Sequence, residues 1–381
     1  MRTIRRVKLL LAATFLLASA VAHARAHEPP LLPPEQQGQR HVDLVIALDT
    51  SSSMDGLIDA ARQKLWDVVS LLGTAKPQPV LRVGVVSYGN TGYAAQEGWV
   101  RKDIDLTTDL DQVYAKLFAL RTNGGSEYVA RAVKVATEQM QWDQDPKTLK
   151  IIFVAGNEPA NQDPVVRVED AVGGARQKNI FVNAIYCGSA GAWETAGWAQ
   201  VASLGKGQYA AIDHTQKVAI ATPMDAELAR LSAQLSSTYV GFGRAGRAKA
   251  ENQMAQDANA SSAGVAAAAS RAVGKTSSLY RNDDWDLVDA KKGNKVDVKA
   301  LAAEELPAEM RAMAPAEREA YVEKKAKERA EIQKRIAELS KRRDEYIRAE
   351  SAKAAGANAK AVDSALNGTL KRQAESAGFA F

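Results

Sequence analysis

Residues 42–53 read VDLVIALDTSSS, an apolar run that stops abruptly at an aspartate and three serines. The run is rich in Val, Leu and Ile, with one acid, Asp43, near its start. Strict alternation is absent, which is the pattern of a strand covered on both faces in a parallel sheet. Residues 54–72 then predict a helix, because Ile58, Ala61, Leu65, Val68, Val69 and Leu72 recur at three- and four-residue spacings. A strand that ends in oxygen-bearing side chains and feeds a helix lies at the carboxyl edge of a sheet, where open α/β sheets place their ligands. Asp49, Ser51 and Ser53 stand at alternate positions in that turn. Their carboxylate and hydroxyl oxygens are the donors a hard divalent cation prefers. The same residue types also suit the cap of the following helix, so both roles stay open on these residues alone.

Strands and helices alternate over residues 41–240. Further apolar runs at 80–88 (VLRVGVVSY), 149–155 (LKIIFVA) and 179–186 (NIFVNAIY) predict buried strands. Residues 98–106 predict a polar edge strand, and 207–212 a last short one. Helices are expected at 109–120, 127–142, 165–177, 193–204 and 225–236. This spacing predicts βαβ units in an α/β fold: a doubly wound, mostly parallel sheet with helices on both faces.

The Asp-x-Ser-x-Ser pattern after an apolar strand resembles the signature of the von Willebrand factor type A (VWA) domain, where it forms a metal-ion-dependent adhesion site. The element order is similar too, with a Gly-Gly loop before a mid-domain helix and a further loop after the fourth main strand. The resemblance covers roughly residues 41–220. It implies Mg2+ or Mn2+ held by Asp49, Ser51 and Ser53, with Ser126 of the Thr122-Asn123-Gly124-Gly125-Ser126 loop in the place of the family's threonine. The third loop departs from the family. Where a pattern like Thr-Asp-Gly-Glu-Pro is expected, the chain reads Ala155-Gly156-Asn157-Glu158-Pro159, so Gly156 replaces the aspartate. That leaves one acid in the set. Glu127, Glu158 or Asn157, or the carboxylate of a partner, are the candidates to complete the shell.

Residues 1–26 read as a secretory signal peptide. Arg2, Arg5, Arg6 and Lys8 form a basic start, residues 9–21 an apolar stretch too short for a membrane span, and Ala22-His23-Ala24 and Ala24-Arg25-Ala26 are small-x-small cleavage sites. The formal charge of +5 belongs mostly to this segment, and cleavage after Ala24 or Ala26 leaves the chain near neutral. The basic balance therefore gives no support to nucleic-acid binding. Residues 27–40 are proline-rich and polar and read as an extended tether. The expected location is the periplasm or outside the cell.

Other signals carry less. Gly241 to Gly246 spell G-x-G-x-x-G, but no second strand follows, so a linker is expected rather than a dinucleotide fingerprint. Cys187 is the only cysteine and follows a buried strand, which suits a core residue. His41 and His214 are isolated, and no nucleophile elbow or phosphate-binding loop is present. Tyr88, Tyr93, Trp193 and Trp198 are candidates for an aromatic rim around the metal face.

Beyond the sheet domain, residues 241–303 are rich in Ala, Ser, Gln and Asn and read as a low-complexity connector, with a docking segment at 279–290 that holds Tyr280, Trp285, Leu287 and Val288. Residues 304–350 predict a charged helix with acid-before-base pairs at four-residue spacing and a narrow stripe of Ile332, Ile336, Leu339 and Tyr346. The stripe is too short for a long coiled coil and suits a helical hairpin or a helix packed on a partner. Residues 351–381 are small and polar and read as a flexible tail. The functional expectation is an exported, non-enzymatic adhesion or scaffold module that binds a protein or cell-envelope ligand. The alternatives are an envelope assembly or chaperone-like factor, or an uncharacterised hydrolase.

Overall fold

The computed structural model describes residues 40–212, 220–353 and 357–381. The signal peptide, all but the last residue of the tether, and His214 lie outside the described residues. Six strands, β1 (His41–Asp49), β2 (Val80–Tyr88), β3 (Val100–Thr107), β4 (Leu149–Gly156), β5 (Ile180–Cys187) and β6 (Lys206–Ile212), form one sheet in the order β3-β2-β1-β4-β5-β6. Only β3 runs antiparallel, at one edge, and its half-exposed polar residues fit that position. The apolar runs of β1 and β4 sit at the centre and are buried on both faces.

Helices α1 (Asp55–Leu72), α2 (Leu110–Ala119), α3 (Val129–Gln139), α4 (Val168–Gln177) and α5 (Thr195–Leu204) connect the strands. Side chains on β1 alternate between two cores. Val42, Leu44 and Leu48 face α1 and α2, and Val45 and Ala47 face α3, α4 and α5. This period of two in a strand buried on both sides explains why the sequence shows an unbroken apolar run.

The chain then adds α6 (Asp225–Ser236), α7 (Gly243–Ser262), α8 (Val265–Gly274), α9 (Leu287–Lys292), α10 (Pro315–Lys353) and α11 (Ala357–Ser376). The expectation of a low-complexity connector over residues 241–303 is corrected here for the part before the docking segment. Helices α7 and α8 pack against α1, α2 and α6. Their alanines are small enough for close approach, and Ala260, Ala268, Ala269 and Ala272 are buried. Gly274 lies against Trp66, where even a Cβ would overlap the ring. Tyr280, Trp285, Leu287 and Val288 are also buried, Tyr280 in the α1–α2 core and Leu287 and Val288 in a smaller cluster with Val322 of α10.

The long helix α10 is not solvated on all sides. Ile336, with Ile332, Leu339 and Tyr346, packs on Leu228, Leu231 and Leu235 of α6. Arg329 and Arg343 point inward and pair with Asp286 and Asp225, at 2.7 and 2.8 Å.

The flexible tail expected at 351–381 is corrected as well. Helix α11 lies against β6 and α1. Leu370, Ala374 and Phe379 join the α1–α2 core, and the side chains of Gln373 and Asn183 exchange hydrogen bonds at 3.0 and 3.1 Å. The last residues return to the sheet, where Lys76 and Ala380 exchange backbone hydrogen bonds of 2.7 Å. A helix from the far end of the chain thus covers the face beside β6.

Candidate metal centre

Three loops converge at the carboxyl edge of the central strands. The first leaves β1. Asp49 is fully buried, and its Oδ1 accepts a hydrogen bond from the Ser51 backbone N–H at 2.8 Å, the short-range turn that an aspartate side chain makes with its own backbone. Its Oδ2 and the Ser51 hydroxyl are buried with no hydrogen-bond partner. The helix-cap reading fails here. Met54 occupies the N-cap position of α1, and no side chain caps that end. Ser53 is exposed, and its hydroxyl accepts a hydrogen bond of 3.2 Å from the Asn157 side chain.

The second loop, residues 120–128, is pinned to the first. The Asn123 N–H donates to the Thr50 carbonyl at 3.0 Å, and the Thr91 N–H donates to the Gly124 carbonyl at 2.8 Å. Ser126 is half-buried in this loop. The next residue, Glu127, is 8 % exposed, and its Oε2 is buried with no hydrogen-bond partner. Gly89 lies between the loops with a left-handed φ of 74°. A Cβ there would stand 2.7 Å from Asp49 Oδ1 and 2.8 Å from Glu127 Cγ. Only glycine meets both the backbone and the space requirement at this point.

The third loop leaves β4. Gly156 carries no donor, and the Tyr88 hydroxyl occupies the space beside it while donating to the Ala155 carbonyl at 2.9 Å. Asn157 is half-buried with an unpartnered Oδ1, whereas Glu158 is exposed.

The electrostatics of the cluster are those of acids without a counter-charge. Burial raises the Asp49 carboxyl to about 7, with Glu158 adding to the rise. Burial and then the neighbouring Asp49 raise Glu127 to about 8, and every charge acting on Glu127 is another acid. The Ser51 hydroxyl favours the ionised form of both, though it makes no hydrogen bond of good geometry to either. Among the described residues, no three His, Cys, Asp or Glu side chains group as a metal cluster. Hydroxyl oxygens therefore have to take part in any cation site here.

The structure brings Asp49 and Ser51 together as buried donors, places Ser53 at the rim beside Asn157, and leaves Ser126 half-buried next to the more deeply buried Glu127. Tyr88 and Trp198 are fully buried, so they are core residues rather than rim anchors. Tyr93 is half-buried, accepting a hydrogen bond from Ser87 at 2.8 Å with Arg101 over its ring. Trp193 alone of the four stands out, at 75 % exposed. Cys187 is a buried free thiol whose pKa is pushed well up by burial, in keeping with a core role.

The family model for the von Willebrand factor type A domain matches residues 43–215. No curated protein matches the chain. Among solved structures, proximal thread matrix protein 1 from the mussel byssus, with a zinc-occupied MIDAS motif, is 13% identical with a TM-score of 0.38. That match covers 47% of this chain and 43% of the mussel protein. The SpRpn10 VWA domain is 13% identical over 45% of this chain and 88% of its own, with a TM-score of 0.35. The pilus adhesin SpaC from Lactobacillus rhamnosus GG is 15% identical over 47% of this chain and 29% of its own, with a TM-score of 0.35. The chain thus spans less than half the length of the mussel protein.

Residues 43–215 are a von Willebrand factor type A domain. Domains of this type are protein-interaction and adhesion modules that commonly hold a divalent metal.

Proposed function

We propose that the chain is an exported, non-enzymatic binding protein that holds a protein or cell-envelope partner at the carboxyl edge of its VWA sheet through a divalent cation. The observation that carries this reading is the set of buried oxygens without partners, Asp49 Oδ2 and Ser51 Oγ, at the point where the family's metal signature falls. Buried polar atoms are almost always hydrogen-bonded, so an unpartnered pair in one turn asks for a ligand. The donors are oxygens only, which suits Mg2+ or Mn2+. Asp49 and Ser51 would hold the cation from the first loop, with Ser53 and Ser126 at its rim. The bound cation would supply positive charge and an exchangeable position for a partner's oxygen.

Trp193, 75 % exposed, lies in the loop that follows β5 on the same edge and offers apolar contact there. Export is supported by the basic and apolar start of the chain and its small-x-small sites. No helix among the described residues is long and apolar enough to cross a membrane. A second reading, an envelope assembly factor, is favoured by the 39-residue helix α10 with its charged outer face.

Calorimetric titration of Mg2+ and Mn2+ into the protein and into Asp49→Ala tests the proposal. Saturable binding that the substitution abolishes is expected. The absence of heat in both proteins, with no change in melting temperature, would overturn the metal-dependent reading.

A further inference from the structure

Glu127 is a buried acid for which the described fold provides no counter-charge. Its Oε2 has no hydrogen-bond partner, and no basic side chain acts on it. The basic side chain nearest in the following helix, Arg131, is already engaged by Asp163, with hydrogen bonds of 2.7 and 2.9 Å. An ionised carboxylate buried without a partner is strongly disfavoured. The loop nevertheless fixes the residue. The Gln162 side chain donates to the Glu127 carbonyl at 3.1 Å, and Gly89 removes the side chain that would separate Glu127 from Asp49.

The opposite loop shows the complementary change. A Cβ on Gly156 would stand 3.1 Å from Asp49 Oδ2, the same oxygen that lacks a partner. An acid at 156 would therefore have reached the Asp49 carboxylate from the β4 side. The chain has no acid there, and the Tyr88 hydroxyl fills the space. Of the two acids in that loop, Glu158 is exposed to water and Asp163 is engaged by Arg131. One carboxylate is missing from the third loop, and one extra buried carboxylate is present in the second.

We propose that Glu127 is the second acidic ligand of the cation site, so that the chain itself supplies both carboxylates and binds the cation without an acid from a partner. This rests on the metal reading given above. Asp49 and Glu127 together neutralise a divalent ion, and Ser51, buried between loops one and two, adds a neutral oxygen. Exposed Glu158 then adds negative charge at the rim, which disfavours a partner's carboxylate and leaves the open position to a neutral oxygen.

The test is calorimetric titration of Mn2+ into the isolated protein, with no partner present, for wild type, Glu127→Gln and Glu158→Gln. Wild type is expected to bind one equivalent. Glu127→Gln is expected to weaken binding by at least about tenfold, with Glu158→Gln within about threefold of wild type. The metal-free melting temperature of Glu127→Gln, expected at or above that of wild type, shows that the variant is folded. Wild-type binding with undiminished affinity in Glu127→Gln would overturn this inference and leave the metal reading intact. A larger loss in Glu158→Gln than in Glu127→Gln would overturn it too. Failure of the wild type to bind would overturn both.

Discussion

The hydroxyl of Tyr88 fills the space that any side chain on Gly156 would enter, and it is held there by a 2.9 Å hydrogen bond to the Ala155 carbonyl. Both residues stand at the carboxyl ends of the two strands that flank β1, Tyr88 closing β2 and Gly156 closing β4. The third metal loop is therefore rebuilt around a buried phenol, and restoring an acid by substitution alone does not restore the family's arrangement.

Gly156→Asp is expected to destabilise the protein by about 1–3 kcal/mol through overpacking against Tyr88. Adding Tyr88→Phe removes the overlapping hydroxyl and is expected to recover part of that loss, although Tyr88→Phe alone costs about 1 kcal/mol for the lost hydrogen bond. Urea unfolding of the three variants measures this. Additive losses in the double variant would contradict the account.

The pH dependence of stability follows from the two raised carboxyls. In the folded, metal-free protein Asp49 loses its proton at about 7 and Glu127 at about 8, against ordinary values of 3.8 and 4.5. Between those limits the folded state holds protons that the unfolded chain has released. These groups contribute their full stability below about pH 4, and that stability is lost as pH rises to about 8. A bound cation needs both ionised, so its stabilisation grows over the same range. Melting curves at about pH 5 and pH 8, with chelator and with Mn2+, are expected to show the larger metal-induced shift at the higher pH. Equal shifts would contradict the assignment.

Arg271 ties the C-terminal helices to the sheet domain. It is fully buried, pairs with Asp111 of α2 at 2.8 Å and with Asp257 of α7, and lies over the rings of Trp66 and Tyr114. Tyr280 donates to the same Asp111 at 2.6 Å. Arg271→Ala leaves the buried Asp111 without its cation, while Asp257 keeps Lys275 at 2.9 Å, and is expected to cost about 3–5 kcal/mol. Limited proteolysis should then release fragments between α6 and α10. Wild-type resistance would show that this network is dispensable.

Helix α11 is expected to behave as part of the domain. Phe379→Ala should cost about 3 kcal/mol or more, since the ring is buried in the α1–α2 core. Gln373→Leu should cost about 1–3 kcal/mol, because it leaves the Asn183 side-chain N–H without its acceptor, although Asn183 Oδ1 keeps the Gln208 N–H at 2.8 Å. Thermal unfolding of both variants reads the effect. An unchanged melting temperature in both would make the C-terminal helix an accessory.

How far the sequence exposes this architecture depends on the kind of signal. The β1 and β4 runs were legible because a strand buried on both faces is apolar throughout. Asp49 and Ser51 were legible because the turn after such a strand is a ligand position. Glu127 was harder to assign, because loop spacing points to the hydroxyl at Ser126, and only burial separates it from the acid that follows. Helices α7, α8 and α11 are hidden in the sequence for a different reason. Apart from Leu370, their buried surface is made mostly of alanines, Gly274, and the polar side chains of Arg271, Lys275 and Gln373, which composition assigns to solvent. Small residues packed against Trp66 and polar groups satisfied by Asp111, Asp257 and Asn183 leave no apolar stripe to read.

The most direct test of the central claim is an anomalous-scattering map from crystals of the protein grown with Mn2+. The account predicts a single peak bonded to Asp49 Oδ2, Ser51 Oγ and a Glu127 carboxylate oxygen. A map with no peak between β1 and the loop at residues 120–128, at saturating Mn2+, would contradict it.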